Sequence, residues 1–212
     1  MGLHPVGEPA ALDAQRGGPA AARSYVSALD GGSSGTGAAG ALEQPEILAR
    51  GRSVVLRPYR PGELDGVYEA RRRSKHSVGE PDRDWIRRRL ENSGGWFEGR
   101  LDVAIEGAGQ LVGTLDARAP LRAMPPGVCE IGIEIFEDER GKGLGTEAIR
   151  LFSDWLLDNG YPRVQASTDL RNAPMRRIFE KLGWEFEGVL RAFMPDGAGR
   201  ADYGLYSLTR VA

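Results

Sequence analysis

Apolar and polar residues alternate along this chain with two periods, and the switches between them mark out strands and helices from residue 52 onward. Residues 52–57 read as a strand that Pro58 and Pro61 end, ahead of helices predicted at about 62–74 and 82–90. Residues 101–106 and 110–116 alternate as two strands around the Gly107-Ala108-Gly109 turn, and Pro120, Pro125 and Pro126 mark the next loop. Ile131, Ile133 and Ile135 interleave with Gly132 and Glu134 at the period of a strand, whereas Leu144, Ala148, Leu151 and Trp155 recur at helical spacing. Gly160 ahead of Pro162 is the expected stop of that helix. Residues 163–168 form a further strand, and Asn172 can cap a helix carrying Met175, Ile178, Phe179 and Leu182 on one face, closed by Gly183. Two last strands turn at residues 195–199. The order predicts an α/β domain built on one mixed sheet.

The first forty residues break this pattern. They hold nine Gly and nine Ala with almost no periodic apolar positions, so residues 1–47 are expected to be a flexible tail on a single domain spanning 48–212. The tail has neither the basic start nor the continuous apolar stretch of a signal peptide, and no apolar run elsewhere is long enough to span a bilayer. The expectation is a cytoplasmic protein with no membrane segment. One cysteine, Cys129, excludes an intrachain disulfide framework, and two histidines, His4 and His76, cannot supply a histidine-rich metal site, so no metal is expected. Cys129, between Val128 and the isoleucine strand, reads as core.

A formal net charge of -2 argues against general nucleic-acid binding. Residues 71–89 are locally different, with eight Lys or Arg against Glu80, Asp82 and Asp84. Solvated faces of two short helices account for such a run. Acceptance of an acidic peptide or a phosphorylated small molecule would account for it as well.

The most informative segment is Arg140-Gly141-Lys142-Gly143-Leu144-Gly145-Thr146, which lies between the isoleucine strand and the helix that follows. Its glycines let successive backbone N–H groups turn toward an anion, and the helix start adds unpaired N–H groups and positive dipole. A pyrophosphate suits such a loop. The P-loop pattern and the dinucleotide fingerprint both fail on spacing here. The pattern R/Q-x-x-G-x-G/A fits, with Arg140, Gly143 and Gly145 in register, and resembles the acetyl-CoA loop of the GNAT N-acetyltransferase superfamily. Downstream, Asp169 to Met175, Phe179 to Trp184 and Glu187 to Arg191 resemble a second GNAT block. The stretch from Asp196 to Leu208 resembles the closing hairpin of the branch containing the RimJ/RimL ribosomal-protein N-acetyltransferases.

The resemblance implies a GNAT fold, with a mostly antiparallel central sheet flanked by helices and splayed beside the acetyl-CoA strand. It also implies acetyl-CoA as co-substrate, a primary amine as acceptor, and direct transfer in a ternary complex, by a monomer or homodimer. Backbone groups near Ile135, Phe136 and Glu137 would bind the pantetheine arm. Phosphates would fall to Arg140 and the N–H groups of Gly141 to Thr146, with Arg176 and Lys181 as candidates for the adenosine 3'-phosphate, and the Asn172 side chain would touch the pantetheine. Arg72, Trp85 and Trp96 are the candidates for the acceptor pocket. Unbroken alternation puts Glu130 and Glu134 on the strand face opposite the isoleucines, and both are candidate bases, Glu130 being preferred by resemblance. The residues where GNAT enzymes carry a tyrosine or serine acid are Phe179 and Met175 here. A protein N-terminal α-amine is the expected acceptor, a small-molecule amine the alternative, and a non-catalytic CoA-binding module the third reading.

Overall fold

The computed structural model describes residues 46–74, 80–120 and 123–210. The expected tail, apart from its last two residues, lies outside them, as do His4, Lys75 and His76. In chain order the elements are β1 (Ala49–Arg50), β2 (Val55–Arg57), α1 (Leu64–Arg73), α2 (Arg83–Glu91), β3 (Trp96–Phe97), β4 (Arg100–Gly107), β5 (Gln110–Arg118) and β6 (Val128–Ile135). A 3-10 turn at Glu137–Glu139 leads to α3 (Leu144–Asp158), β7 (Arg163–Asp169), α4 (Ala173–Lys181), β8 (Glu185–Asp196) and β9 (Gly199–Thr209). The strands form one sheet in the order β1-β2-β4-β5-β6-β7-β9-β8, with β3 paired to β4. Every pairing is antiparallel except β6 with β7.

Of the strand expected at 52–57 only Val55–Arg57 forms, as β2, and a tight turn joins it to the short β1 that precedes it. The Gly51 N–H donates to Val54 O, and the Glu147 side chain of α3 accepts from the N–H groups of Arg52 and Ser53. A carboxylate ninety-odd residues away thus takes the donors a continuous strand would have paired. Asp82 caps α2 by accepting from the N–H groups of Asp84 and Trp85 at 2.9 and 3.0 Å. Asn172 caps α4, as the sequence predicts, accepting from Met175 N–H at 3.2 Å.

The two sheet faces differ sharply. Leu101, Ala117 and Ile131 stand in register, as do Val103, Leu115 and Ile133, and this face packs under Ile149, Phe152 and Leu156 of α3. Cys129 and Val164 continue it, and Phe179 stacks on Tyr206 at its far end, 4.8 Å between ring centres. On the other face Asp102, Asp116 and Gly132 share one register row, and Arg100, Arg118 and Glu130 the next. Period-two alternation sends one set of side chains into the core and leaves charges on the opposite surface.

Gly113 of β5 is needed for close approach. A Cβ there would lie 2.5 Å from Glu134 O, so β5 and β6 hold their spacing only because the residue has no side chain.

Candidate active site

Parallel pairing between β6 and β7 covers Val128 to Glu130 against Arg163 to Gln165, and then stops while both strands continue. The sheet therefore opens between the C-terminal halves of β6 and β7. Arg163 N–H donates to Gly127 O on the β7 side, whereas Phe136 N–H donates to Val112 O on the β5 side. Backbone groups alternate direction along a strand, so Ile131, Ile133 and Ile135 turn theirs toward the gap. Phe136 spends its N–H on Val112, and its C=O accepts from Glu139. Glu137 starts the 3-10 turn and its C=O accepts from Arg140 N–H. Of the three backbone positions expected to meet pantetheine, Ile135 is thus the one facing the gap, and Ile133 joins it.

The glycine loop sits at the end of that gap. Gly141 and Gly143 take φ of +77° and +82°, in the left-handed region that glycine enters without strain, and a Cβ at either would point into open space. Gly143 is the N-cap of α3 and no side chain caps the helix, so the N–H groups of Leu144, Gly145 and Thr146 are presented at its start. Leu144 anchors the first turn in the core, and Gly145 lets α3 approach β6, where a Cβ would meet Ile135 Cγ1 at 3.4 Å. The cradle fits a pyrophosphate in shape and in sign. Lys142 pairs with Glu139 at 2.9 Å and the Arg140 Nε donates to Ile135 O at 3.0 Å, so both cations are held beside the loop. Arg176 lies further off, its guanidinium donating to Leu170 O and the Tyr206 hydroxyl at 3.2 and 3.3 Å. Lys181 is exposed in the last turn of α4.

Both carboxylates of β6 lie on the charged face, as the alternation predicts. Glu130, however, accepts from Arg118 Nη2 at 3.0 Å and from Gln165 Nε2 at 3.4 Å. Arg118 also bridges to Asp116, and Asp116 to Arg100, so Glu130 ends a ladder of charge pairs running across three strands. Glu134 stands opposite Thr114 with no ion pair or side-chain hydrogen bond among the described residues. Sequence reasoning preferred Glu130 and could not see Arg118, which lies on the neighbouring strand.

The acceptor candidates separate. Trp85 of α2 faces a pocket between α1, α2 and β4, with the guanidiniums of Arg71 and Arg89 over its ring at 5.5 and 4.4 Å. Arg72 points to solvent, paired with Glu69 at 3.3 Å. Trp96 shares the face of Leu101 and stacks on Tyr161, 5.0 Å between ring centres, packed against the core. The pocket also holds Tyr59, which sequence reading missed, and Arg71 and Arg89, which it held only as members of the basic run at 71–89. Helical spacing carried a signal for two of them, since Arg71 follows Val67 by four residues and Arg89 follows Ile86 by three.

Residues 53–185 match the model of the acetyltransferase (GNAT) domain. The chain belongs to the GNAT acetyltransferases. It is an acetyl-CoA-dependent N-acetyltransferase, and the splayed sheet with its glycine cradle is the family architecture. The chain is 26% identical over 169 residues to the SPbeta prophage-derived uncharacterized N-acetyltransferase YokL of Bacillus subtilis (strain 168), covering 76% of this chain and 92% of that protein. Two solved structures share the fold. The ribosomal L7/L12 α-N-protein acetyltransferase RimL, in complex with coenzyme A, superposes with a TM-score of 0.64 at 13% identity, over 77% of this chain and 98% of that one. The microcin C7 self-immunity acetyltransferase MccE, in complex with acetyl-CoA and AMP, gives 0.62 at 15% identity, over 76% and 94%. Acetyl-CoA is the co-substrate of this GNAT enzyme. Among the described residues no three His, Cys, Asp or Glu side chains are grouped to hold a metal, and no helix is long and apolar enough to cross a membrane.

Proposed function

We propose that this GNAT enzyme acetylates a protein N-terminal α-amine, with Glu134 as the group that receives the proton. The observation that carries the reading is the pairing of Glu130 with Arg118 and Gln165, which leaves Glu134 as the uncommitted carboxylate on the charged face of β6.

In this reading the pyrophosphate of acetyl-CoA lies on the N–H groups of residues 141–146, and the pantetheine arm runs down the gap along Ile133 and Ile135. The acceptor amine, neutral, attacks the thioester carbonyl carbon from the charged face. A strand N–H turned into the gap stabilises the oxyanion that forms. As the C–S bond breaks, the ammonium proton passes to Glu134, directly or through a water, and the thiolate leaves to be protonated as coenzyme A. Glu130 is a positioning residue that holds Arg118 and the strand edge.

The leaving thiolate meets no tyrosine acid at the position where many GNAT enzymes carry one. Phe179, where a tyrosine acid stands in many GNAT enzymes, is buried against Trp184 and Tyr206 and has no proton to give. An α-amine has a pKa of about 8 and is partly neutral at pH 7, whereas a lysine amine near 10.4 needs a strong base. The shared fold with RimL supports the same acceptor class.

The test is thiol release from acetyl-CoA across N-terminal peptides, lysine side-chain peptides and small amines, with Glu134→Gln and Glu130→Gln alongside. The expected result is turnover of α-amines, a loss of about 100-fold in kcat for Glu134→Gln, and a smaller loss for Glu130→Gln. A Glu130→Gln loss larger than that of Glu134→Gln would reverse the assignment.

A further inference from the structure

We propose that Arg118 recognises the acceptor by the carbonyl oxygen beside its amine, and that the amine meets the acetyl-CoA gap over Gly132 of β6. The inference rests on the transferase reading above and names the group that marks a suitable amine.

β6 has no need of a glycine at position 132 for its own backbone. The residue lies in mid-strand, in register with Asp116, and is not among the glycines with positive φ. At Gly113 a Cβ would strike a backbone carbonyl, whereas at Gly132 it would meet only side-chain atoms, Asp116 Oδ1 at 3.1 Å and Arg118 Nη2 at 3.6 Å. Glycine inside a strand weakens it and marks a place of close approach. Here the group that approaches is the Arg118 guanidinium, which reaches from β5 over β6. Glu130 and Glu134 stand two residues to either side of Gly132 on the same face. Pairing with β7 ends at Glu130, so the guanidinium sits at the edge of the gap.

The bonds of Arg118 leave a donor unused. Its Nη2 donates to Glu130 at 3.0 Å and its Nε lies 3.3 Å from Asp116 Oδ2, while Nη1 makes no hydrogen bond among the described residues. The side chain is 41% exposed, against 17% for Asp116 and 20% for Glu130. Two carboxylates already meet its charge, so it offers a hydrogen bond and no surplus charge. An anion placed there would lie beside Asp116, Glu130 and Glu134, which disfavours it. A neutral carbonyl oxygen suits the donor.

The spans agree. Glu134 is two residues from Gly132, about 7 Å along the strand. The amine nitrogen and carbonyl oxygen of one aminoacyl group are about 3 Å apart. A carbonyl held on the guanidinium therefore brings the amine within reach of the Glu134 carboxylate, directly or through one water. Glu130, which holds Nη2, acts on the acceptor through Arg118. A plain alkylamine presents the same nitrogen but nothing for Arg118 to hold. A protein N-terminus and an amino-acid amide share the recognised group.

The experiment measures kcat/KM of the full chain with alaninamide, with isopropylamine, which is the same amine without the carbonyl, and with tetra-alanine amide. The two small amines differ in basicity, so the quantity read is the alaninamide-to-isopropylamine ratio of each variant relative to wild type. Arg118→Lys keeps a cation beside Asp116 and Glu130 but loses the fork, and should lower that ratio about 10-fold, through KM. Should this variant melt early, Glu130→Ala, which frees Nη2, decides by the same ratio. Glu134→Gln removes the proton acceptor common to both amines and should slow both alike, leaving the ratio within about 2-fold. With the ratio lowered in Arg118→Lys, faster turnover of tetra-alanine amide than of alaninamide supports the seat and assigns it to a protein N-terminus, and the reverse supports it and assigns it to a small amide. A ratio unchanged in Arg118→Lys, or one that falls as far in Glu134→Gln, overturns the inference. If no amine turns over, the transferase reading has failed, and the seat is tested by calorimetric titration of alaninamide into the chain saturated with coenzyme A. An affinity that falls about 5-fold or more in Arg118→Lys supports it, and equal affinity, or no binding to wild type, overturns it.

Discussion

Gly143 concentrates two requirements in one position, a left-handed backbone and an unobstructed approach to the first turn of α3. Gly143→Ala has room for its methyl group but pays about 1–2 kcal/mol for the φ it must keep. The expected outcome is an acetyl-CoA affinity lowered about 5- to 30-fold, or an equivalent loss of melting temperature, read by calorimetric titration and thermal unfolding. Cys129 is inert for a different reason. Burial pushes its thiol up to about 12, so a thiol reagent should label the native protein slowly and the denatured protein at once. Glu187 contributes a pH dependence of stability. Arg163 first, and the Ser207 hydroxyl second, hold its carboxyl down from 4.5 to about 2. A carboxyl lowered in the folded state stabilises above its unfolded value, and that contribution fades as pH falls through the folded one. The stability gap between wild type and Glu187→Gln should therefore be full above about pH 5 and shrink toward pH 2, followed by chemical denaturation. Because the pair is partly exposed, the gap is about 1 kcal/mol or less.

Elements with a strong internal period were legible before folding, and elements imposed by a neighbour were not. Residues 144–158 repeat their apolar positions over four turns and end at Gly160, so α3 was readable to its cap. Asn172 announced α4 for the same reason; Asn172→Ala should cost about 1 kcal/mol, measured by denaturant unfolding. The strand expected at 52–57 is cut to its last three residues because Glu147 of α3 takes the N–H groups of Arg52 and Ser53. The two-residue strand β3 is too short to show a period at all. Gly113 likewise carries no signal of its own, yet its missing Cβ sets the β5–β6 spacing beside the splay. Gly113→Ala should destabilise the domain by about 1–3 kcal/mol and weaken acetyl-CoA binding along with it, since the crowded atom is a backbone carbonyl of β6.

Across the molecule, one sheet serves two purposes on its two faces. The apolar face packs on α3 and α4, and the charged face carries the ladder from Arg89 through Asp102, Arg100, Asp116 and Arg118 to Glu130. In the function proposed above, the donor enters the gap between β6 and β7 while the acceptor lies on the charged face. We propose further that residues 1–45 are dispensable for chemistry: a chain starting at Glu46 should retain acetyl-CoA binding and turnover, and a truncation that cannot acetylate would assign the removed segment a role in the site.

Local signals in the chain were enough for the turn glycines of the loop at 140–146, the order of the longer strands and the helices, and the family, because φ preference, capping and period act over a few residues. Which carboxylate stays uncommitted, which arginine turns inward and where the sheet opens were settled by folding. Arg118 meets Glu130, and Arg89 meets Asp102, across strands or between a helix and the sheet. Such partners are chosen by register and packing between distant segments, and their consequences for charge appear only once those segments are side by side.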